Sequence, residues 1–329
     1  MFRRGKTAAR GPNEDDKANG VVLAADRLWR AFDDVQAVRD LSLSVHAGEL
    51  YGLVGPDGAG KTTTLRLLTG LLDADRGEAR AKALPLAEGG QALREAIGYM
   101  PQQYSLYGDL SVMENLRFFG RLFGLDRAAF ARRTERLLAI TRLAPFADRR
   151  ADALSGGMYK KLGLAAALLH QPEVLILDEP SNGVDPVSRR ELWELLHTFV
   201  DEGMAVLIAT PYMDEAERCH KVGLLDRGRL LTEGPPDQLI RDFPHRAFEV
   251  HAADRGQAET ALGERPEVLA LSPHGADLRI VVRVEGVSSI ESWAARASPP
   301  VHLESVRPDF DDVFLGWLAD HTPSAEVSA

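Results

Sequence analysis

The sequence predicts an α/β fold: a parallel β-sheet covered by helices, an antiparallel β flank, and a smaller α+β domain towards the C-terminal end. Three observations lead there. Short apolar runs at 49–54, 174–177 and 205–209 have the length and composition of strands buried on both faces, and helical patterns separate them. The first run leads directly into Gly55-Pro56-Asp57-Gly58-Ala59-Gly60-Lys61-Thr62, which fits the pattern GxxxxGK followed by Ser or Thr. Beyond Gly234-Pro235-Pro236 the pattern changes to βαββαβ over roughly 60 residues, the order of a ferredoxin-like domain.

A chain of 329 residues has room for two domains and a sizeable core. Its 49 acidic residues outnumber the 39 basic ones, and a net charge of −10 argues against general nucleic-acid binding. The single cysteine, Cys219, forms no internal disulfide and reads as a small buried hydrophobe. Apolar runs are broken by His170, Gln171 or Asp178 before they reach the roughly 18 residues of a membrane-spanning helix. Residues 1–20 are polar and mixed in charge, and predict a disordered tail.

Taken in order, Leu28–Phe32 and Leu41–Val45 predict the two flanking strands, the second alternating apolar and polar positions. A helix follows the glycine-rich loop, with Leu65 and Leu68 on one face. Residues 73–92 are turn-rich, and Ile97-Gly98-Tyr99-Met100 predicts a short strand ending at Pro101-Gln102. Helical patterns occupy 111–145. Val174-Leu175-Ile176-Leu177 is followed by Asp178-Glu179-Pro180, and a helix with an apolar stripe of Leu192, Leu195, Leu196, Phe199 and Val200 ends at Gly203. In the C-terminal part, strands at 247–252, 267–272, 277–284 and 301–306 alternate with helices at 256–263 and 286–297. A domain boundary is expected near residue 245.

The glycine-rich loop has the residue types that a polyphosphate demands. Glycines let consecutive backbone N–H groups close around an anion, and a helix N-terminus adds unpaired donors. Lys61 would reach the β- and γ-phosphates, and Thr62 would offer its hydroxyl to Mg²⁺. A dinucleotide fingerprint fits less well, because the glycines stand at 55, 58 and 60 rather than at GxGxxG spacing. Asp178 and Glu179, at the end of an apolar strand, complement the loop: the first as a Mg²⁺ ligand, the second as the group that orients and deprotonates the attacking water.

With these motifs the chain resembles the ATP-binding cassette ATPases over residues 21 to about 240. Leu154-Ser155-Gly156-Gly157-Met158 matches their signature, a short distance before Asp-Glu-Pro. The resemblance implies a P-loop NTPase core at 21–245 with a helical subdomain at about 103–165, and an accessory domain at 246–329. It also implies ATP and Mg²⁺ as ligands, held by Gly55 to Thr62 and by Thr63. Ser155, Gly156 and Gly157 would bind the γ-phosphate of ATP on the opposite subunit of a head-to-tail dimer, homomeric or heteromeric. Phe32 would stack on adenine. Gln102 would contact Mg²⁺ and water, with Gln103 as a neighbouring candidate, and Asp185 would communicate across the dimer.

One position departs from the family pattern. Where a histidine usually contacts the γ-phosphate, the chain reads Thr210-Pro211-Tyr212-Met213-Asp214-Glu215-Ala216, and proline offers no donor. Neither His197 nor His220 stands in the matching position. Within the family, the phrases at 108–116, 184–190 and 212–219 and the terminal Pro308-Asp309-Phe310-Asp311-Asp312-Val313-Phe314-Leu315 resemble daunorubicin-resistance exporters. Their ATPase subunits bind a separate membrane permease, which places the chain on the inner face of the cell membrane. The alternative is a subunit impaired in hydrolysis that pairs with a second, active cassette.

Overall fold

The computed structural model describes residues 20–82, 84–85, 95–103 and 106–321. Nearly all of the expected N-terminal tail, residues 1–19, lies outside them. Two compact units emerge, one made of the chain up to Pro211 with Arg227–Leu230, the other of Tyr212–Asp226 and the chain from Leu231 onward.

In the first unit, β1 (Val21–Phe32) pairs antiparallel with β2 (Val35–His46) and with β4 (Arg76–Ala81), and β5 (Leu84–Pro85) continues this flank. Both long strands extend well beyond the expected 28–32 and 41–45. Register shifts between Ala25 and Leu28, with Arg27 at φ +46° and Asp40 at φ +52°, break the period-two pattern that marks a strand in sequence.

The parallel layer runs β3 (Leu50–Val54), β8 (Ala205–Thr210), β7 (Val174–Asp178) and β6 (Ile97–Met100). Every residue of β3, β7 and β8 is buried, which is why these strands read as unbroken apolar runs. Around them stand α1 (Lys61–Leu68), α2 (Val112–Leu122), α3 (Arg127–Ile140), α4 (Gly156–Leu168) and α5 (Pro186–Asp201). α2 begins at a full capping box, the Ser111 hydroxyl accepting from Glu114 N and the Glu114 carboxylate from Ser111 N. α5 ends as expected: Gly203, at φ +95°, donates to Val200 O while Met204 donates to Phe199 O.

Asn115, fully buried on α2, anchors the turn that precedes this helix. Its side-chain carbonyl accepts from Tyr107 N at 2.9 Å, and its amide donates to the carbonyls of Tyr107, Leu110 and Ser111.

The second unit contains α6 (Met213–Ala216), β9 (Lys221–Asp226), most of β10 (Arg229–Gly234) and α7 (Pro236–Arg241). It continues with β11 (Arg246–Ala252), α8 (Arg255–Gly263), β12 (Val268–His274), β13 (Asp277–Val282), α9 (Val287–Ala294), β14 (Val301–Val306) and α10 (Phe310–His321). The last four strands form an antiparallel sheet in the order β12-β13-β11-β14. Phe248, Val250, Leu278, Ile280, Ala258, Leu262 and Ile290 build its core. α10, which the strand and helix patterns did not mark, is tied to the sheet by Arg279, whose guanidinium donates to both oxygens of the buried Asp312.

Candidate functional site

The parallel register levels the ends of the strands. Val54 pairs with Thr210, Asp178 with Ala209, and Met100 with Leu177, so the residues following β3, β7 and β6 emerge along one edge. Open sheets of this kind bind ligands at that edge. The loop after β3 is anchored by Gly55 N donating to Thr210 O at 3.3 Å. It then turns through Gly58 at φ +80° and Gly60 at φ +105° into α1. No larger residue fits at 60, since a Cβ there would stand 2.3 Å from Ala37 O.

Lys61 opens α1 with only 5% of its surface exposed. Its ammonium donates to Gly55 O at 2.8 Å and Pro56 O at 3.0 Å, and lies 3.9 Å from a carboxylate oxygen of Glu179. Burial lowers its pKa, against the opposing pull of Glu179, Asp57 and Asp178.

Glu179 is the most closely held acid of the site. Its backbone takes a left-handed φ of +47°, unusual for a non-glycine residue, and its N–H donates to Ala209 O. One carboxylate oxygen, Oε2, accepts from Gln102 Nε2 at 2.8 Å and from Asn182 Nδ2 at 3.1 Å. The other faces Lys61. Lys160 Nζ donates to the Glu179 carbonyl at 3.0 Å.

Asp178 is 1% exposed, and neither carboxylate oxygen makes a well-formed hydrogen bond with the protein. Burial raises its pKa, while the Thr62 hydroxyl nearby and the charges of Lys61 and Arg66 act the other way. A buried carboxylate left without a firm partner beside a threonine hydroxyl suits a hard divalent cation that takes oxygen ligands. Tyr99, near Asp178, has its phenol pushed up to about 12, mainly by burial.

These groups open onto a groove of about 570 Å³ whose lining includes Asp57, Gly58, Gly60, Lys61, Thr62, Thr63, Gln102 and Glu179. Gly55, Pro56 and Ala59 contribute backbone to the same loop. Phe32 stands 43% exposed at the end of β1, with the Arg30 guanidinium over its ring and its strand partner Val35 in the groove wall. Asn182, Lys160 and Arg227 are the residues that sequence reasoning missed. Asn182 sits in a Ser-Asn-Gly turn whose composition gives no sign that its amide reaches back to Glu179.

The signature residues are placed elsewhere in the unit. Ser155 caps α4, its hydroxyl accepting from Met158 N at 3.3 Å. Gly156 lines a second concavity with Gln102, Tyr159, Lys160 and Asn182. At Gly157 a Cβ would stand 2.4 Å from Ser188 Oγ and 3.6 Å from a carboxylate oxygen of Asp185. Asp185 itself caps α5, accepting from Val187 N and Ser188 N, and its pKa is lowered first by the Ser188 hydroxyl and then by these backbone N–H groups. Thus Asp185 belongs with the α4 N-terminus, and among the described residues lining the Lys61 groove neither it nor the signature appears. Pro211 directly follows Thr210, the residue that anchors the start of the phosphate loop. His197 packs near Trp193 along α5.

Comparison with known proteins follows the same lines. The protein-family model described as "ABC transporter" matches residues 38–182. The chain is 41% identical over 305 residues to the Escherichia coli protein described as "Probable multidrug ABC transporter ATP-binding protein YbhF", a match that covers 91% of this chain and 52% of that protein. The chain therefore spans about half the length of that relative. It is 43% identical to the Nod factor export ATP-binding protein I of Cupriavidus pinatubonensis, over 67% of this chain and 68% of that one. Against the Bradyrhizobium diazoefficiens protein of the same name it is 35% identical, covering 87% and 92%. Among solved structures, an ATP-binding subunit of an ABC transporter superposes with a TM-score of 0.62 at 31% identity, over 68% of this chain and 93% of that one.

Proposed function

From the premise that the chain belongs to the ABC transporter ATPase family, we propose that it binds and hydrolyses MgATP to drive a membrane exporter. The observation that carries this reading is the convergence of Lys61, Gln102 and Glu179 on one groove at the strand ends. The backbone of Gly55 to Thr63 would cradle the phosphates, and Lys61, whose ammonium donates to two carbonyls of its own loop, would turn to them. Thr62 and Asp178 would hold Mg²⁺, with Gln102 beside them. That ion would neutralise the charge on the phosphate oxygens. Glu179 would take the proton of the attacking water, its carboxylate aimed by Gln102 and Asn182.

The Ser155 end of α4 supports a second role. Its capped N-terminus and the close-packed Gly157 suit an anion presented by another subunit, so that two chains complete each other's sites in a head-to-tail dimer. A permease would be engaged through the helical region that follows Gln102; among the described residues no helix is long and apolar enough to cross a membrane. Relatives named for multidrug and Nod factor export favour outward transport, and the daunorubicin-resistance type is the finer assignment. We read residues 246–329 as a ferredoxin-like accessory domain, on the element order βαββαβ and the strand order β12-β13-β11-β14.

Pro211 favours a second reading, in which hydrolysis is slow and a partner cassette supplies the missing donor. Steady-state phosphate release by the chain and by Pro211→His distinguishes them. A gain on the order of 100-fold in the variant supports impairment, in line with restoring one charge-stabilising donor. Ordinary turnover in the unaltered chain sinks that reading. Absence of MgATP binding and of permease-dependent turnover sinks the leading one.

A further inference from the structure

The outer face of the C-terminal sheet carries a second concentration of ionisable side chains. Glu249 and His251 alternate along β11, and His302 and Glu304 along β14, with Glu249 directly opposite Glu304 and His251 directly opposite His302. Residues two apart in a strand share a face, and opposite residues in an antiparallel pair stand with Cβ atoms about 5 Å apart. Phe248 and Val250, on the other face, belong to the apolar core, so this two-by-two grid faces away from it.

Such a grid concentrates negative charge on one directly opposed pair, Glu249 and Glu304. Two carboxylates directly opposite repel, and the facing imidazoles gain nothing from each other if both are charged. The nearest fixed cation is Arg279, 3.5 Å from Glu249, but it is committed to Asp312 and Asp309. His274 lies 3.8 Å from Glu249. His251 is oriented on both sides, its Nδ1 3.1 Å from Asp277 and its Nε2 3.5 Å from Glu304. A carboxylate on one ring nitrogen, with the other turned towards ligand-type oxygens, is the arrangement that orients metal-binding histidines.

We propose that Glu249, His251 and Glu304 form a three-ligand site for a divalent transition metal of the Zn²⁺ type, the fourth position being left to solvent, with Asp277 as the group that orients His251. One donor atom from each of Glu249, His251 and Glu304 lies within 4.8 Å of the others. Ligand atoms about 2.1 Å from a tetrahedral Zn²⁺ stand roughly 3.4 Å apart, so the side chains need to close by little more than an ångström. Their partial exposure leaves them room to do so. The imidazole donor selects against Mg²⁺ and Ca²⁺, which take oxygen, and so separates this site chemically from the one beside Asp178. The sole cysteine, Cys219, is buried and stands outside the grid.

The test uses the full chain, stripped of metal and free of nucleotide, titrated with Zn²⁺ against a chromophoric chelator. One saturable equivalent is expected. His251→Gln and Glu304→Gln should each weaken it at least ~10-fold, and Asp277→Asn by ~10- to 100-fold, as loss of an orienting partner does. His321→Gln, on α10, should leave it unchanged. Absence of a saturable equivalent, or an affinity that His251→Gln and Glu304→Gln both leave unaltered, overturns the proposal. Circular dichroism of each variant checks folding, and the two positions, on different strands and at least partly exposed, keep the test decisive if either variant misfolds.

Discussion

Replacing Glu179 by glutamine isolates the proposed water-activating step. Both amide hydrogen bonds to this side chain, from Gln102 and Asn182, end on the same oxygen, Oε2. A glutamine can place its carbonyl there and keep both, while its NH₂ takes the position that faces Lys61. The loss is then electrostatic. At 3.9 Å and an effective dielectric of about 20, the Lys61–Glu179 attraction has an upper value of about 4 kcal/mol. Lys61 retains its carbonyl acceptors at 2.8 and 3.0 Å, so the loop should hold its shape. A general base contributes roughly 10²- to 10⁴-fold in rate, or about 3 to 5 kcal/mol of barrier. Phosphate release should fall by that factor, while MgATP binding persists or tightens because one negative charge near the phosphates is gone. Gel filtration with ATP should then show an accumulated dimer. Turnover within about tenfold of the unaltered chain would refute Glu179 as the base.

Three further outcomes follow from the packing. Gly157→Ala forces its Cβ against Ser188, 2.4 Å away, and should weaken ATP-dependent dimerisation while leaving nucleotide binding to the single chain intact, which fluorescence titration and gel filtration separate. Asn115→Ala removes a side chain with four hydrogen bonds from a fully buried position and should cost about 2 to 4 kcal/mol in denaturant unfolding, with the turn at Tyr107 loosened first. The hydrogen bond from Lys161 chiefly, with the charges of Lys161 and Arg142, lowers the Glu191 pKa. Its folded value lies below the unfolded one, so its stabilisation is present above about pH 4.5 and is lost as pH falls through the folded value. Melting temperatures of the chain and of Glu191→Gln should therefore differ most near neutrality and converge in acid.

Some of this architecture is legible residue by residue. β11 sets Phe248 and Val250 in the core and Glu249 and His251 on the other face, and the expected ranges at 247–252 and 301–306 match β11 and β14 to within a residue. β1 is not legible in the same way, since a bulge at Arg27 interrupts its alternation and only a partner strand satisfies the backbone there. α10 has no period that marks it, because packing on the sheet, with Arg279 bound to Asp312, decides its place. At the start of α2 the capping box of Ser111 and Glu114, a local interaction three residues apart, fixes the helix N-terminus.

By itself, the sequence determined the chemistry of the loop. Gly55 to Thr62 follows an apolar strand, and the backbone freedom, the cation and the hydroxyl that a polyphosphate needs are all local properties of those residues. Only the tertiary structure decided what that loop faces. Gln102 and Glu179 are 77 residues apart and meet at 2.8 Å because parallel pairing levels β6 with β7. In the C-terminal sheet, the antiparallel pairing of β11 with β14 sets Glu249 opposite Glu304, 55 positions apart in the chain, where no reading of either segment would join them. Contacts of that range depend on strand register, and register is a property of the whole sheet rather than of any one segment.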